Sequence, residues 1–324
     1  MSQWINSSSA PGSLMLLGEH AVLHGRRALV CAINQRITVS FSKINKRILR
    51  ILSDLGTYEA PLDELADHSD FRFVLDAVKQ YPQEQGVELK IDSDFSSDIG
   101  FGSSAAVTVA THAALMGNID DRMKLFERSL ATIRRVQGRG SGADVAASVF
   151  GGVIAYRADP LEIQRVGADV QNVEQASRLL KRAGRSFDFP LTAVYSGSKM
   201  KTVDVIRHLE ERRALNAETF EKIFDRMDAS VGEVIEDFSS LGRNLILNQK
   251  LMEEMGLCNA ALAEIIEIFQ TLPAPSGVEG GVPAKISGSG LGDCAIGLAA
   301  PTGSLLGDYK KYALRVTTKG VQAE

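Results

Sequence analysis

Apolar and polar residues change their period several times along the chain, and each change predicts an element. Short β-rich runs at 13–17, 28–33, 36–44 and 87–95, bounded by Gly, Asn or charged residues, predict strands. Helices are predicted over 70–81, 105–116 and 120–137. In the last of these, Met123, Phe126, Leu130, Ile133 and Val136 recur at helical spacing and define one buried face. Gly117 and Gly138 stand where C-terminal helix caps belong, and a short helix-like run at 145–150 ends in Gly151-Gly152. A polar, basic stretch at 181–188, followed by Pro190, reads as the connection to a second unit. Beyond it, 191–196 reads as a strand. Phe220, Ile223, Met227, Val231, Val234 and Phe238 mark one amphipathic helix, and Leu262, Ile265, Ile266 and Phe269 a later one; strands close the pattern at 284–287, 294–298 and 312–316. Strands and helices mix without regular βαβ alternation, which predicts an α+β fold.

Length and composition narrow the class. The chain has 324 residues, enough for about two domains; its 44% hydrophobic and 23% charged residues are ordinary for a packed globular protein. A net charge of -4 without long like-charged blocks gives no electrostatic support for nucleic acid or a membrane as partner. The charge-free stretch 99–119 is too rich in Gly, Ser, Thr and His to span a bilayer. Cys31, Cys258 and Cys294 are odd in number, far apart and flanked by apolar residues. That argues against a disulfide framework and for a reducing, cytoplasmic setting. The first basic residue is Arg26, so the charged start of a signal peptide is not expected.

Three glycine-rich segments carry the candidate chemistry. Gly100-Phe101-Gly102-Ser103-Ser104-Ala105-Ala106 stands directly before a predicted helix. Glycines let a ligand approach the backbone, and free N–H groups at a helix start favour an anion, so a phosphate is the natural occupant. Ser103 and Ser104 could hold phosphate oxygens or one Mg²⁺ position; a flexible turn with a serine cap is the bland alternative. The segment also fits a loose dinucleotide pattern, with Asp120 roughly twenty residues on, but Asp120 opens a helix instead of ending a second parallel strand. Gly138-Arg139-Gly140-Ser141-Gly142-Ala143-Asp144 precedes another helical run, where Asp144 could be only a cap. Lys285-Ile286-Ser287-Gly288-Ser289-Gly290-Leu291-Gly292-Asp293-Cys294 lies between two predicted strands and alone would pass for a hairpin turn.

Taken in order, these segments resemble the GHMP kinases, the superfamily of galactose, homoserine, mevalonate and phosphomevalonate kinases. Ala10-Pro11-Gly12 followed by Gly18-Glu19-His20-Ala21-Val22-Leu23-His24-Gly25 is similar to the family's first motif in its mevalonate kinase form. Gly100 to Ala106 resembles the phosphate loop, Ser141 to Asp144 the site of the catalytic aspartate, and Lys285 to Cys294 the third motif; Asn248-Gln249 also fits. The resemblance implies two domains with the active site in the cleft between them: residues 1–185, like ribosomal protein S5 domain 2, and residues 186–324, ferredoxin-like. It implies ATP as co-substrate with Mg²⁺, and a small-molecule acceptor; it leaves a homodimer open. By carry-over, Gly100, Gly102, Ser103, Ser104 and Ala105 would cradle the triphosphate, with Ser104 also on Mg²⁺. Asp144 would take the proton of the acceptor hydroxyl, Glu19 and His20 would lie near the acceptor, Gly288, Ser289 and Gly290 would shape the cleft, and Thr202 would meet the nucleotide.

The chain departs from that family twice. Mevalonate kinases carry Lys after Ala-Pro-Gly, where this chain has Ser13, and a metal-binding Glu eleven residues before the aspartate, where it has Ile133. Arg134, Arg135 and Arg139 read either as a solvated helix end or as the replacement cation, with Arg139 the best placed at the acceptor; Lys199 and Lys201 are solvated or meet a phosphate. His20 and His24 lack a third ligand and read as packed or substrate-facing instead of metal-bound. Gly18 to Gly25 points to mevalonate as acceptor, while Gln137-Gly138 with Ser141 to Ala147, and Gly292-Asp293-Cys294, resemble phosphomevalonate kinases. A third reading is a degenerate homologue that binds nucleotide or metabolite without turnover.

Overall fold

The computed structural model describes residues 4–166, 189–198, 200, 202–273, 281–300 and 306–324. The connection expected at 181–188, the boundary at 185/186, and Lys199 and Lys201 lie outside the described residues. Seven of the eight strands of a first sheet come first in the chain: β1 (Asn6–Leu17), β2 (Ala28–Ile44), β3 (Ile48–Ser53), β4 (Gly56–Pro61), β5 (Gly86–Ser93), β6 (Val153–Ala158) and β7 (Leu161–Val166). A second sheet contains β8 (Pro190–Tyr195), β9 (Ala284–Ser287), β10 (Cys294–Gly297) and β11 (Lys311–Arg315), and the last strand, β12 (Gln322–Ala323), returns to pair with β1. The first sheet runs β12-β1-β2-β5-β3-β4, with β6 beside β2 and β7 beside β6; the second runs β11-β8-β10-β9 and is antiparallel throughout.

The two strands predicted at 28–33 and 36–44 are one. The polar pair Asn34-Gln35 between them is where β2 exchanges neighbours, from β6 at 28–31 to β5 at 37–44. Asn34 also accepts a hydrogen bond from the Arg315 N–H of the second sheet at 2.9 Å. The β3–β4 and β6–β7 hairpins are not apparent in the periodicity, because charged side chains occupy their outer faces. Arg50, for example, bonds Glu59 and Glu88 across strands, each at 3.0 Å.

Four helices pack on the first sheet: α1 (Arg72–Lys79), α2 (Ser103–Met116), α3 (Arg122–Gln137) and α4 (Ala143–Phe150). Asp121 caps α3 by accepting from the Lys124 N–H, and Gly117 and Gly138 close α2 and α3 in the left-handed region as predicted. The buried face of α3 runs through Leu125, Phe126, Ser129, Leu130, Thr132 and Ile133; Met123, predicted on that face, is exposed. The second sheet carries α5 (Thr202–Leu215), which the pattern did not announce, then α6 (Ala217–Glu236), α7 (Leu241–Glu254) and α8 (Ala260–Thr271). Period-two alternation splits this sheet between two cores. Leu191, Ala193, Cys294, Ile296 and Leu314 join the core of the first sheet, whereas Val194, Ile286 and Ala295 join Phe224, Met227, Leu262 and Phe269 beneath the helices. The same alternation turns Lys285, one residue before Ile286, toward the first sheet. No helix among the described residues is long and apolar enough to cross a membrane.

Candidate active site

The site begins at a bulge. Pairing of β1 with β2 shifts register between Pro11 and Ser13, and Gly12 is pressed so closely on the Phe101 carbonyl that an added Cβ would stand 2.7 Å from it. A bulge re-aims the following side chain. Here the Ser13 N–H bonds the Phe101 carbonyl at 3.0 Å, and the Ser13 hydroxyl donates to Oδ1 of Asp144 at 2.8 Å. Asp144 lies in the first turn of α4, after Gly142 (φ 100°), and Ser148 ties that helix to β1 by donating to the Pro11 carbonyl at 2.8 Å. The Tyr156 hydroxyl bonds the Ser141 carbonyl at 2.5 Å and fills the space a side chain on Gly142 would need. Burial raises the Asp144 carboxyl above the usual carboxylate range, and the Ser13 hydrogen bond partly opposes that rise.

The phosphate-loop candidate meets the same point. Gly102, the α2 cap residue, has φ 66°, and a Cβ there would overlap the Ser13 hydroxyl. Glycine is therefore required both for conformation and for space. Ser103, Ser104 and Ala105 open α2, where a helix offers their N–H groups no internal acceptor. From the second sheet, the Cys294 thiol donates to the Ile99 carbonyl at 3.1 Å, and Gly100 lies so near Asp293 that an added Cβ would stand 3.3 Å from that side chain. The 288–293 turn thus touches the loop that precedes α2.

A third cluster joins the end of β1 to β9. The buried Lys285 ammonium pairs with Glu19 Oε1 and also donates to the Ile286 carbonyl, while Asn248 donates to Glu19 Oε2 at 3.0 Å and accepts from the Gly18 N–H at 3.1 Å. Gln249 accepts from the Ile286 N–H at 2.9 Å. Burial pulls the Lys285 ammonium below its ordinary range, and Glu19 works against that pull. His20, at φ 62°, bonds the Ser289 carbonyl through Nε2 at 2.8 Å. Because a carbonyl only accepts, Nε2 carries the hydrogen. Burial holds the imidazole's pKa low, so the ring is neutral and Nδ1 is an acceptor. His20 Nδ1 and Ser289 Oγ are buried with no hydrogen-bond partner among the described residues, the condition of groups that await a polar ligand.

The structure therefore brings Gly100, Gly102, Ser103, Ser104 and Ala105 together with Ser13 and Asp144, and Glu19 and His20 together with Ser289. Gly288 and Gly290 hold that turn at φ 93° and 86°. Arg139 is exposed and forms no ion pair among the described residues, and Thr202 is exposed at the start of α5. Arg135 is committed to Asp76 at 2.8 Å, and Arg134 donates to the Gly140 carbonyl at 3.4 Å. His24 turns to stack on Phe224 and meets Glu210 at 3.3 Å. Lys285 and Asn248 are the residues whose role composition and spacing did not show: a buried Lys is recognisable only when the acid it faces is known. Surface grooves of about 470 Å³ near Leu65 and near Phe150 share no residue with these clusters.

Comparison with known proteins decides the family. The chain is 32% identical over 320 residues to a mevalonate kinase of Archaeoglobus fulgidus, covering 95% of this chain and 99% of that one. This chain belongs to the GHMP kinases. A model of the GHMP kinases N terminal domain matches residues 71–152, and a galactokinase galactose-binding signature matches 6–43. The fold is that of the Methanococcus jannaschii mevalonate kinase crystal structure, with a TM-score of 0.77 at 20% identity over 98% of both chains. A Streptococcus pneumoniae phosphomevalonate kinase complex superposes at 0.70, with 18% identity over 96% of this chain and 99% of that one. As a member of this family the GHMP protein is an ATP-dependent kinase with a small-molecule acceptor.

Proposed function

We propose that this GHMP kinase transfers the γ-phosphoryl group of ATP to the hydroxyl of mevalonate, forming 5-phosphomevalonate for isoprenoid precursor synthesis. The observation that carries the mechanism is the Asp144 carboxyl, held by Ser13 beside the opening of α2. Phosphoryl transfer asks for little covalent chemistry from the protein, mainly positioning and charge compensation. The N–H groups of Ser103, Ser104 and Ala105 receive phosphate oxygens, and Asp144 takes the proton from the acceptor hydroxyl as the new O–P bond forms. His20 Nδ1 and Ser289 Oγ offer an acceptor and a donor to the polar end of the acceptor.

Magnesium fits this site in a limited way. The Ser104 hydroxyl makes no hydrogen bond to the described residues, and Ile133, where the family places Glu, is buried in the core. No group of three or more His, Cys, Asp or Glu suited to a metal occurs among the described residues. Ser104, with phosphate oxygens and water, would hold Mg²⁺, which supplies compensation of the triphosphate charge. The β11-β8-β10-β9 order, fourth-first-third-second, supports the ferredoxin-like reading of 186–324, and the first sheet with α1–α4 supports the S5-like reading of 1–185. A cytoplasmic location and a homodimer belong to the same reading.

The mevalonate assignment rests on the curated relatives. Two observations favour other acceptors: the resemblance of 141–147 to phosphomevalonate kinases and the galactose-binding signature at 6–43. A coupled ADP-release assay with mevalonate, 5-phosphomevalonate and galactose side by side tests this. Turnover on mevalonate at the highest kcat/KM supports the assignment; preference for either other acceptor overturns it, and ATP binding without turnover on any acceptor indicates a binding protein. Asp144→Asn should lower kcat by roughly 10²–10⁴-fold with ATP affinity retained.

A further inference from the structure

The family's Lys is absent at position 13, yet the structure leaves no gap there. The bulge at Gly12 aims the Ser13 hydroxyl at Asp144, and the missing Cβ of Gly102 provides the space in which that hydroxyl sits. Ser13 is almost fully buried, at 1% exposure, and its backbone is pinned to the Phe101 carbonyl. One short side chain thus touches the carboxyl of α4 and the cap of α2 at once.

We propose that Ser13 is the positioning residue of this site: its hydroxyl fixes Oδ1 of Asp144 and, through contact with Gly102, sets the carboxylate's place relative to the triphosphate loop. The proposal rests on Asp144 being the group that receives the acceptor's proton. It departs from the family scheme, in which a cation occupies this place; a neutral hydroxyl orients the carboxylate without neutralising it.

Among the described residues, the surroundings of Asp144 supply no replacement cation. On β2, Cys31 is buried and its thiol is pushed up to about 12, so it stays neutral. On β6, the Tyr156 hydroxyl is committed to the Ser141 carbonyl. On α2, His112 is held between Tyr81 and Thr132. On α3, Arg122 donates to the Val149 and Val321 carbonyls, and Arg134 reaches the Gly140 carbonyl. Beyond the end of β1, Glu19 is paired with Lys285 of β9. Among the described residues no Lys or Arg forms an ion pair with Asp144, and the hydrogen bond from Ser13 is what favours its ionised form.

The test is a double-mutant cycle of Ser13→Ala and Asp144→Asn, with pH profiles. Ser13→Ala should lower kcat by roughly 10–100-fold, the scale of a hydrogen bond to a charged group, with KM for ATP within about twofold. It should move the acid limb of the kcat profile to higher pH, and Ser13→Thr, which keeps the hydroxyl, should restore both. On the Asp144→Asn background the same change should be silent, because its effect passes through the carboxylate. A kcat within twofold of wild type, or an equal loss on both backgrounds, overturns the proposal, as does a raised KM for ATP with an unmoved acid limb. Failure of the functional reading is separable. If the wild-type protein turns over no acceptor, carbon-13 carboxyl NMR of the free protein, with the Asp144 signal identified by its loss in Asp144→Asn, still reads the contact. An upward shift of that titration in Ser13→Ala supports the assignment, and an unchanged titration overturns it.

Discussion

Lys285→Met is the substitution whose cost follows most directly from the structure. Lys285 is fully buried, and its ammonium faces Glu19, itself only 3% exposed. The two sheets meet at this pair: Lys285 belongs to β9 and Glu19 follows β1. Removing the lysine leaves a buried carboxylate with Asn248 as its remaining side-chain partner, and stranding one member of a buried pair costs about 3–5 kcal/mol. At ~2.1 cal/mol/K of unfolding entropy per residue, a chain this long loses ~1.5 °C of Tm for each kcal/mol, so the expected drop is about 4–7 °C. Adding Glu19→Gln should recover most of it, because glutamine can still accept from Asn248 and no charge is left buried; the coupling should be about 2–4 kcal/mol. Thermal and guanidinium unfolding of wild type, both single variants and the double variant measure this. Additive losses, or a single-variant loss below about 1 kcal/mol, would refute the reasoning.

Three further outcomes follow. Burial raises the Asp144 carboxyl, so the native state keeps that proton to a higher pH than the unfolded chain, and stability falls as pH rises through that window. Asp144→Asn, which still accepts from Ser13, should match or exceed the wild-type Tm at pH 7, with the difference vanishing below about pH 4; a less stable variant at pH 7 would contradict this. His112 is the opposite case: buried between Tyr81 and Thr132, its imidazole is lowered from 6.5 to about 4. Its contribution is complete above the unfolded value and lost as pH falls toward 4, about 2 kcal/mol between pH 7 and pH 5. Urea unfolding at both pH values should show that loss shrinking in His112→Gln. Ser104→Ala should raise KM for ATP and the Mg²⁺ requirement as well as lower kcat, and an effect on kcat alone would place Ser104 away from the metal and phosphates.

Local chemistry carried much of what the sequence declared. Glycines at 100, 102, 117, 138 and 142 mark left-handed backbone that few other residues adopt, so cap and loop positions were readable one residue at a time. The same holds for the periodic faces of α3, α6 and α8, because helical spacing reports burial directly. Polar edges hid the β3–β4 and β6–β7 hairpins, and the merger of two predicted strands into β2 depends on a change of pairing partner that no local pattern encodes. The ordered glycine motifs pointed to the kinase family, but Ser13 read only as a missing cation. Its meaning depends on a bulge in β1, an absent Cβ at Gly102 and a carboxylate at Asp144, three positions far apart in the chain. Lys285 likewise looked like the first letter of a loop motif until the fold set it against Glu19. A residue's propensity is written beside it in the chain, whereas the partner that fixes a buried charge is chosen by packing, and only the tertiary structure specifies that.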